Sequence, residues 1–178
     1  MRVISGKSRG TSLFSLEGLH TRPTTDRVKE AMFSIINFYL QDALVLDLFA
    51  GSGALGTEAL SRGAKKCVFV ENDRKAMEIV EKNLKKTNLI VDAELKFSDY
   101  KNYLNSETRQ FDVILLDPPY NKKMCDGALE IIYSKNLLKD DGVILCETDF
   151  NETIETGFNL KKEYKYGNTK LSVYTKGD

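Results

Sequence analysis

Asp117-Pro118-Pro119-Tyr120 follows the apolar run Val113 to Leu116, and its residue types suit one task, holding a flat ring that bears an amino group. An exocyclic amino group is a poor nucleophile because its lone pair is delocalised into the ring. If the Asp117 carboxylate accepts one N–H and the Pro118 carbonyl accepts the other, the lone pair is left facing an electrophile. Prolines lack an N–H and have a fixed φ, so Pro118 and Pro119 present carbonyls rigidly. Tyr120 can stack on the ring and set its plane. Such chemistry requires no metal and no covalent intermediate, since positioning alone can supply roughly 7 kcal/mol of the barrier. The plainer reading is that two prolines simply end a strand.

A second constellation is Asp47-Leu48-Phe49-Ala50-Gly51-Ser52-Gly53-Ala54-Leu55-Gly56. Gly51, Gly53 and Gly56 satisfy G-x-G-x-x-G between a predicted strand and a predicted helix, where glycines let the backbone approach a ligand closely. Glu71 lies 20 residues beyond Gly51, at the end of the next predicted strand, where an acid meets the two hydroxyls of a ribose. The pair implies an adenosine-containing cofactor. A dinucleotide would set its pyrophosphate on the helix N-terminus. Asp47 would repel that group and suits instead the cationic amino-acid end of S-adenosylmethionine.

The elements that must position these residues alternate along the chain. Leu44 to Phe49, Cys67 to Glu71, Val113 to Asp117 and Val143 to Glu147 are near-continuous apolar runs, as expected of strands buried on both faces of a parallel sheet. A helix is predicted from Asp73 to about Lys86, with Ala76, Ile79, Val80, Asn83 and Leu84 at helical spacing. Leu160 to Tyr166 and Lys170 to Thr175 alternate apolar with polar around Gly167-Asn168, which reads as a terminal antiparallel hairpin. The expectation is a doubly wound α/β domain occupying residues 1–178. Within it, 1–40 forms an N-terminal extension and 41–178 the cofactor-binding core. In the extension, Thr24 or Thr25 caps a helix carrying Val28, Met32, Ile35 and Ile36 on one face.

D-x-F-x-G-x-G is similar to the first motif of class I S-adenosylmethionine-dependent methyltransferases, and D-P-P-Y resembles the signature of those acting on amino groups of adenine, guanine or glutamine amide. Gly18 to Glu30, containing Arg22-Pro23-Thr24-Thr25-Asp26-Arg27-Val28-Lys29-Glu30, resembles a segment of the bacterial RsmD family. So do the opening Arg2 to Gly10 and Glu58-Ala59-Leu60-Ser61-Arg62-Gly63. The resemblance implies methylation of guanine N2 in small-subunit (16S) ribosomal RNA, free or within a 30S assembly particle. It also implies a Rossmann-like, seven-stranded, mostly parallel sheet ending in an antiparallel hairpin. By motif, Asp117, Pro118 and Tyr120 are the expected catalytic residues. Asp47, Phe49, Ala50, Gly51, Ser52, Gly53, Glu71, Asn72, Ser98 and Asp99 are expected to bind the cofactor, with Ser98-Asp99 at the adenine amino group unless that pair is only a helix N-cap. Lys7, Arg9, Arg22, Thr24, Thr25, Arg27 and Pro119 are expected on the RNA side. His20-Thr21 interrupts the family's usual G-L-R-P spacing, and His20 reads as an exposed bystander.

Composition sets limits on the partners. With 26 Lys+Arg against 26 Asp+Glu there is no generally basic coat, but before Ala31 six basic residues (Arg2, Lys7, Arg9, Arg22, Arg27 and Lys29) face three acids. Three scattered cysteines without a CxxC suit a reducing compartment. No metal site, signal peptide or membrane span is expected, and the cytoplasm is the expected location. Three other readings remain open: a DNA- or RNA-adenine or protein-glutamine methyltransferase, a nicotinamide-dependent oxidoreductase using Gly51 to Gly56, and a non-catalytic RNA-binding module.

Overall fold

The computed structural model describes residues 1–15, 26–119 and 124–177. Its elements run α1 (Asp26–Ile36), β1 (Leu44–Asp47), α2 (Ala54–Ser61), β2 (Lys66–Glu71), α3 (Arg74–Lys86), β3 (Ala93–Phe97), α4 (Tyr100–Ser106), β4 (Phe111–Leu116), α5 (Met124–Ser134), β5 (Leu138–Asp149), β6 (Asn159–Tyr166) and β7 (Thr169–Thr175). The strands form one seven-stranded sheet in the order β3-β2-β1-β4-β5-β7-β6. Strands β1 to β5 are parallel, whereas β7 pairs antiparallel with both β5 and β6. The apolar runs make the central strands because residues such as Val45, Leu46, Ile114 and Leu115 are buried, successive ones on opposite faces. One core packs α1, α2 and α3 on one side of the sheet, and the other packs α4 and α5 on the opposite side.

After β3 the chain returns to the middle and lays β4 beside β1 on the side away from β2. Strand order therefore reverses between β1 and β4, and ligands of open α/β sheets bind at the carboxyl ends of strands at such a reversal.

Two expectations shift in detail. Strand β5 begins at Leu138, five residues before the apolar run, because the sheet accommodates a bulge: Phe111 and Val113 pair with Leu138 and Val143. The intervening Lys139-Asp140-Asp141-Gly142 masks the strand in the sequence. On α1 the buried face is Lys29, Met32, Phe33 and Ile36, with Val28 and Ile35 only partly buried, so the helix is turned relative to the predicted stripe. The expected cap at Thr24 or Thr25 lies outside the described residues.

Lys29 is drawn inward by Glu58 on α2. The Glu58 carboxylate, itself fully buried, lies 3.3 Å from Lys29 Nζ and accepts from Arg62 Nε at 2.7 Å, Ile4 N at 2.8 Å and Ser5 N at 3.0 Å. Lys29 also donates to the Arg2 carbonyl. Burial lowers the Lys29 pKa, and Glu58 opposes that shift. This corrects the count of basic residues, since Lys29 is a structural cation sealed beneath the N-terminal arm. The arm fits so closely on α2 that a Cβ at Gly6 would sit 1.8 Å from the Ser61 carbonyl oxygen.

Candidate active site

The glycine turn is built by carboxylates that hold its backbone. Helix α2 begins after Gly53, which has no side chain to cap it. Asp47, the last residue of β1, supplies the missing acceptor by taking the N–H of Gly56, the third residue of the helix, at 2.8 Å. Glu71 accepts from Gly51 N at 2.8 Å through one oxygen and from Asn72 N and Asp73 N at 2.8 and 2.9 Å through the other. Gly51 and Gly53 have φ of +54° and +76°, the left-handed region. Gly56 serves packing, because a Cβ there would lie 2.3 Å from the Phe69 ring. Beyond Gly51 a Cβ would meet nothing within 4 Å, so the outer side of the turn is open to a ligand.

Asp47 is 1% exposed and lies beneath this turn rather than on its open side. Burial pushes its carboxyl up to about 7, opposed by the Gly56 N–H and reinforced by the charge of Glu71. The site's electrostatics therefore favour a cation arriving at the turn. Asn72 is exposed beside Glu71. Ser98 N donates to the Glu71 carbonyl at 3.0 Å, which brings Ser98-Asp99 to the tip of β3, and Asp99 caps α4 through Lys101 N at 2.8 Å and Asn102 N at 3.4 Å. Phe49, partly buried, packs on Tyr100 with ring centroids 5.2 Å apart.

The Asp-Pro-Pro run issues from the neighbouring strand. Asp47 is paired with Leu115, and Leu48 N donates to the Leu115 carbonyl at 3.2 Å. Asp117 is thus two residues past the register partner of Asp47, on a strand about 4.8 Å away. Asp117 is partly buried, Pro118 buried and Pro119 exposed. Tyr120, Arg22, Thr24, Thr25 and His20 lie outside the described residues.

The basic residues of the arm are not all brought to this edge. Lys7 N bonds the Ser61 carbonyl at the far end of α2, and Lys7 Nζ pairs with Asp92 at 3.2 Å. An eight-residue helix is about 12 Å long, so Lys7 is fastened at the end of α2 opposite Gly53. Arg9 and Arg27 are exposed. One residue passed over in the sequence does reach the site. Asn83, buried on α3, donates to the Ser52 carbonyl at 2.8 Å and to the Phe14 carbonyl at 3.0 Å, and accepts from Phe14 N at 2.8 Å. It ties the arm to the glycine turn. A polar side chain within the apolar stripe of Ala76, Val80 and Leu84 was the available signal.

Among the described residues no group of three or more His, Cys, Asp or Glu could hold a metal ion, and no helix is long and apolar enough to cross a membrane. All three cysteines are free and buried.

A family model described as conserved hypothetical protein 95 matches residues 1–175. YlbH of Bacillus subtilis is 42% identical over 183 residues, covering 99% of each chain. The ribosomal RNA small subunit methyltransferase D of Haemophilus influenzae is 36% identical over 179 residues, covering 98% of this chain and 93% of its own. The solved structure of yhhF from Escherichia coli superposes with a TM-score of 0.88 at 32% identity, covering 99% of this chain and 98% of that one. The chain belongs to this family, the RsmD family of S-adenosylmethionine-dependent methyltransferases.

Proposed function

We propose that this chain methylates the N2 amino group of a guanine in 16S ribosomal RNA. The observation that carries the reading is the adjacency of β1 and β4, which sends the glycine turn and Asp117-Pro118-Pro119 out of the sheet side by side where strand order reverses. S-adenosylmethionine, when bound, supplies a methyl group on a positively charged sulfur. Gly51, Ser52 and Gly53, with Phe49 and Ala50, offer the backbone surface for its amino-acid end, and the Asp47 carboxylate beneath them favours that cation. Glu71 and Asn72 face the ribose, and Ser98-Asp99 the adenine. The Glu71 carboxylate already takes three backbone N–H groups of roughly four it can accept, so it enters the complex fixed in place.

On the acceptor side, Asp117 and the Pro118 carbonyl each take one N–H of the guanine amino group. The nitrogen lone pair then faces the methyl group for in-line attack. As the C–N bond formed and the S–CH3 bond broke, leaving its electron pair on sulfur as a neutral thioether, positive charge would grow on nitrogen and Asp117 would stabilise it. The surplus proton leaves to water. Tyr120 stacks on the base, Pro119 borders it, and Arg22, Thr24, Thr25 and Arg27 approach from the N-terminal extension. Lys7 and Arg9 engage phosphates farther along the RNA. Such contacts position RNA without reading its sequence. A splayed-out guanine is the expected target, on free RNA or a 30S assembly particle, and an RNA substrate together with buried thiols suits the cytoplasm.

The nicotinamide reading is disfavoured by two acids, Asp47 and Glu71, occupying the N–H groups of Gly56 and Gly51 where a pyrophosphate would bind. The deciding experiment incubates 16S rRNA, free and in particles, with labelled methyl donor and analyses nucleosides by mass. N2-methylguanosine supports the reading; N6-methyladenosine, or no label, overturns it.

A further inference from the structure

The far end of the sheet carries a surface that the proposed site does not use. Strand β6 is an edge strand, and Asn159 to Glu163 and Lys165 along it are all exposed. Lysines on an edge strand discourage sheet-to-sheet pairing, but that role does not explain what these lysines touch. Lys161 Nζ donates to the Tyr39 hydroxyl at 3.2 Å, while Lys162 Nζ lies 5.0 Å from the Tyr164 ring centroid and Lys165 Nζ 3.5 Å from that of Phe150. Elsewhere Lys7, Lys66, Lys85, Lys96 and Lys139 meet carboxylates, while Lys86 lies 4.5 Å from the Phe14 ring centroid and Lys101 5.9 Å from that of Tyr100. Among the described residues, Lys161, Lys162 and Lys165 form no ion pair. Lys162 and Lys165 rest on aromatic rings and Lys161 on a phenol oxygen, so no carboxylate cancels their charge.

The position of this surface gives it an occupant. Phe150 directly follows β5, is 41% exposed, and donates its N–H to the Asn168 carbonyl at 2.9 Å, so it sits with the β6–β7 turn at the carboxyl edge of the sheet. Asp117 leaves the same edge from β4, one strand from β5 and three from β6, the latter a span of about 15 Å at the usual strand spacing. From there Lys165, Lys162 and Lys161 descend the β6 edge over roughly 14 Å, with Lys165 on the sheet face opposite Lys162. The neighbouring cleft against α5 is lined by Asp126, Glu130 and Glu155, which repel a polyanion. Asp149 and Glu152 flank Phe150 as well, so on this side the attraction for a strand of nucleic acid leaving the Asp117 site comes from the lysines of β6.

We propose that the Phe150 corner and the β6 edge form a second RNA-contact surface, holding single-stranded RNA next to the target guanine. A base taking the place of Lys165 on the Phe150 ring frees that ammonium for the adjoining phosphate, while Lys162 and Lys161 meet further phosphates. This inference rests on the reading of the site as an RNA methyltransferase.

The test compares wild type with Lys161→Gln/Lys162→Gln/Lys165→Gln and, separately, Phe150→Ala. All four side chains are exposed, and thermal unfolding checks that each variant is folded. Binding of transcribed 16S rRNA is measured across a salt series, with methyl-transfer kinetics and calorimetric binding of S-adenosylhomocysteine. For the triple variant the slope of log affinity against log salt should fall by about 2, at about 0.7 for each phosphate that is no longer neutralised. KM for RNA should rise at least tenfold in both variants, with kcat and cofactor affinity unchanged. An unchanged slope and KM, with a wild type that methylates RNA, overturns this inference alone. A triple variant that binds naked RNA normally but loses affinity for 30S particles assigns the edge to ribosomal protein and also overturns it. A wild type that methylates no RNA overturns both this inference and the reading beneath it.

Discussion

The two halves of the sheet's carboxyl edge are built differently. On the β1–β2–β3 side, side-chain carboxylates hold backbone N–H groups in place: Asp47 holds Gly56, Glu71 holds Gly51, and Asp73 and Asp99 cap α3 and α4. Asn83 on α3 and Glu58 on α2 fasten the N-terminal arm. On the β4–β5–β7–β6 side, Asp117 is followed by an exposed Pro119, and farther along come exposed Phe150 and the lysines of β6. The contrast matches two kinds of ligand. A small cofactor with many polar atoms gains from donors and acceptors fixed beforehand, because ordering them at the moment of binding would cost affinity. A large, flexible polyanion is met by long, hydrated side chains spread over a surface. Changes on the first side should therefore register mainly as stability, and changes on the second as turnover and RNA binding.

Three substitutions probe the first half. The largest effect is expected for Glu58→Gln, which leaves Lys29 as a buried charge without its counter-ion and should cost about 3–5 kcal/mol in urea unfolding. A loss under 1 kcal/mol would mean the arm is not held by this pair. Gly56→Ala forces a methyl group against Phe69 and should cost about 1–3 kcal/mol by overpacking. Phe69→Leu in the same chain should recover part of that loss, whereas purely additive losses would remove the close approach of α2 to β2 as the reason for glycine.

Asp47→Asn has the smallest effect on folding and the most particular one. With the folded carboxyl at about 7 and the unfolded one near its ordinary value of roughly 4, the folded chain holds a proton across that window that the unfolded chain has released. Stability contributed at Asp47 is thus present at low pH and lost as pH rises toward 7. The asparagine variant should lack this slope in urea midpoints measured from pH 5 to 7.5, while binding S-adenosylmethionine more weakly. An identical slope in both proteins would assign the titration to another group.

Much of this arrangement was legible in the sequence, for reasons that particular residues make plain. Strands β1, β2 and β4 announced themselves because strands buried on both faces must be apolar throughout. Helix α3 did so because Asp73 caps a run whose apolar residues recur at helical spacing. The side-by-side exit of the two motifs followed from the alternation of strands and helices. Other features stayed hidden where a polar residue does a structural task. Lys29 looked like surface charge because its counter-ion, Glu58, lies 29 residues away in sequence. The start of β5 was obscured by a polar bulge. The function of Asp47 as a remote helix cap depended on Gly53 having no side chain, which only the fold reveals. The β6 lysines carried no motif, and their aromatic and phenolic neighbours appear only in the fold.

The central claim is that Asp117 orients the acceptor nitrogen and contributes nothing to holding the donor. Asp117→Ala, assayed for methyl transfer to 16S rRNA and titrated with S-adenosylhomocysteine in parallel, tests it most directly. The account predicts a kcat lower by about 10²–10³-fold with the cofactor dissociation constant kept within about twofold. Turnover at the wild-type rate, or a loss of activity matched by an equal loss of cofactor binding, would contradict it.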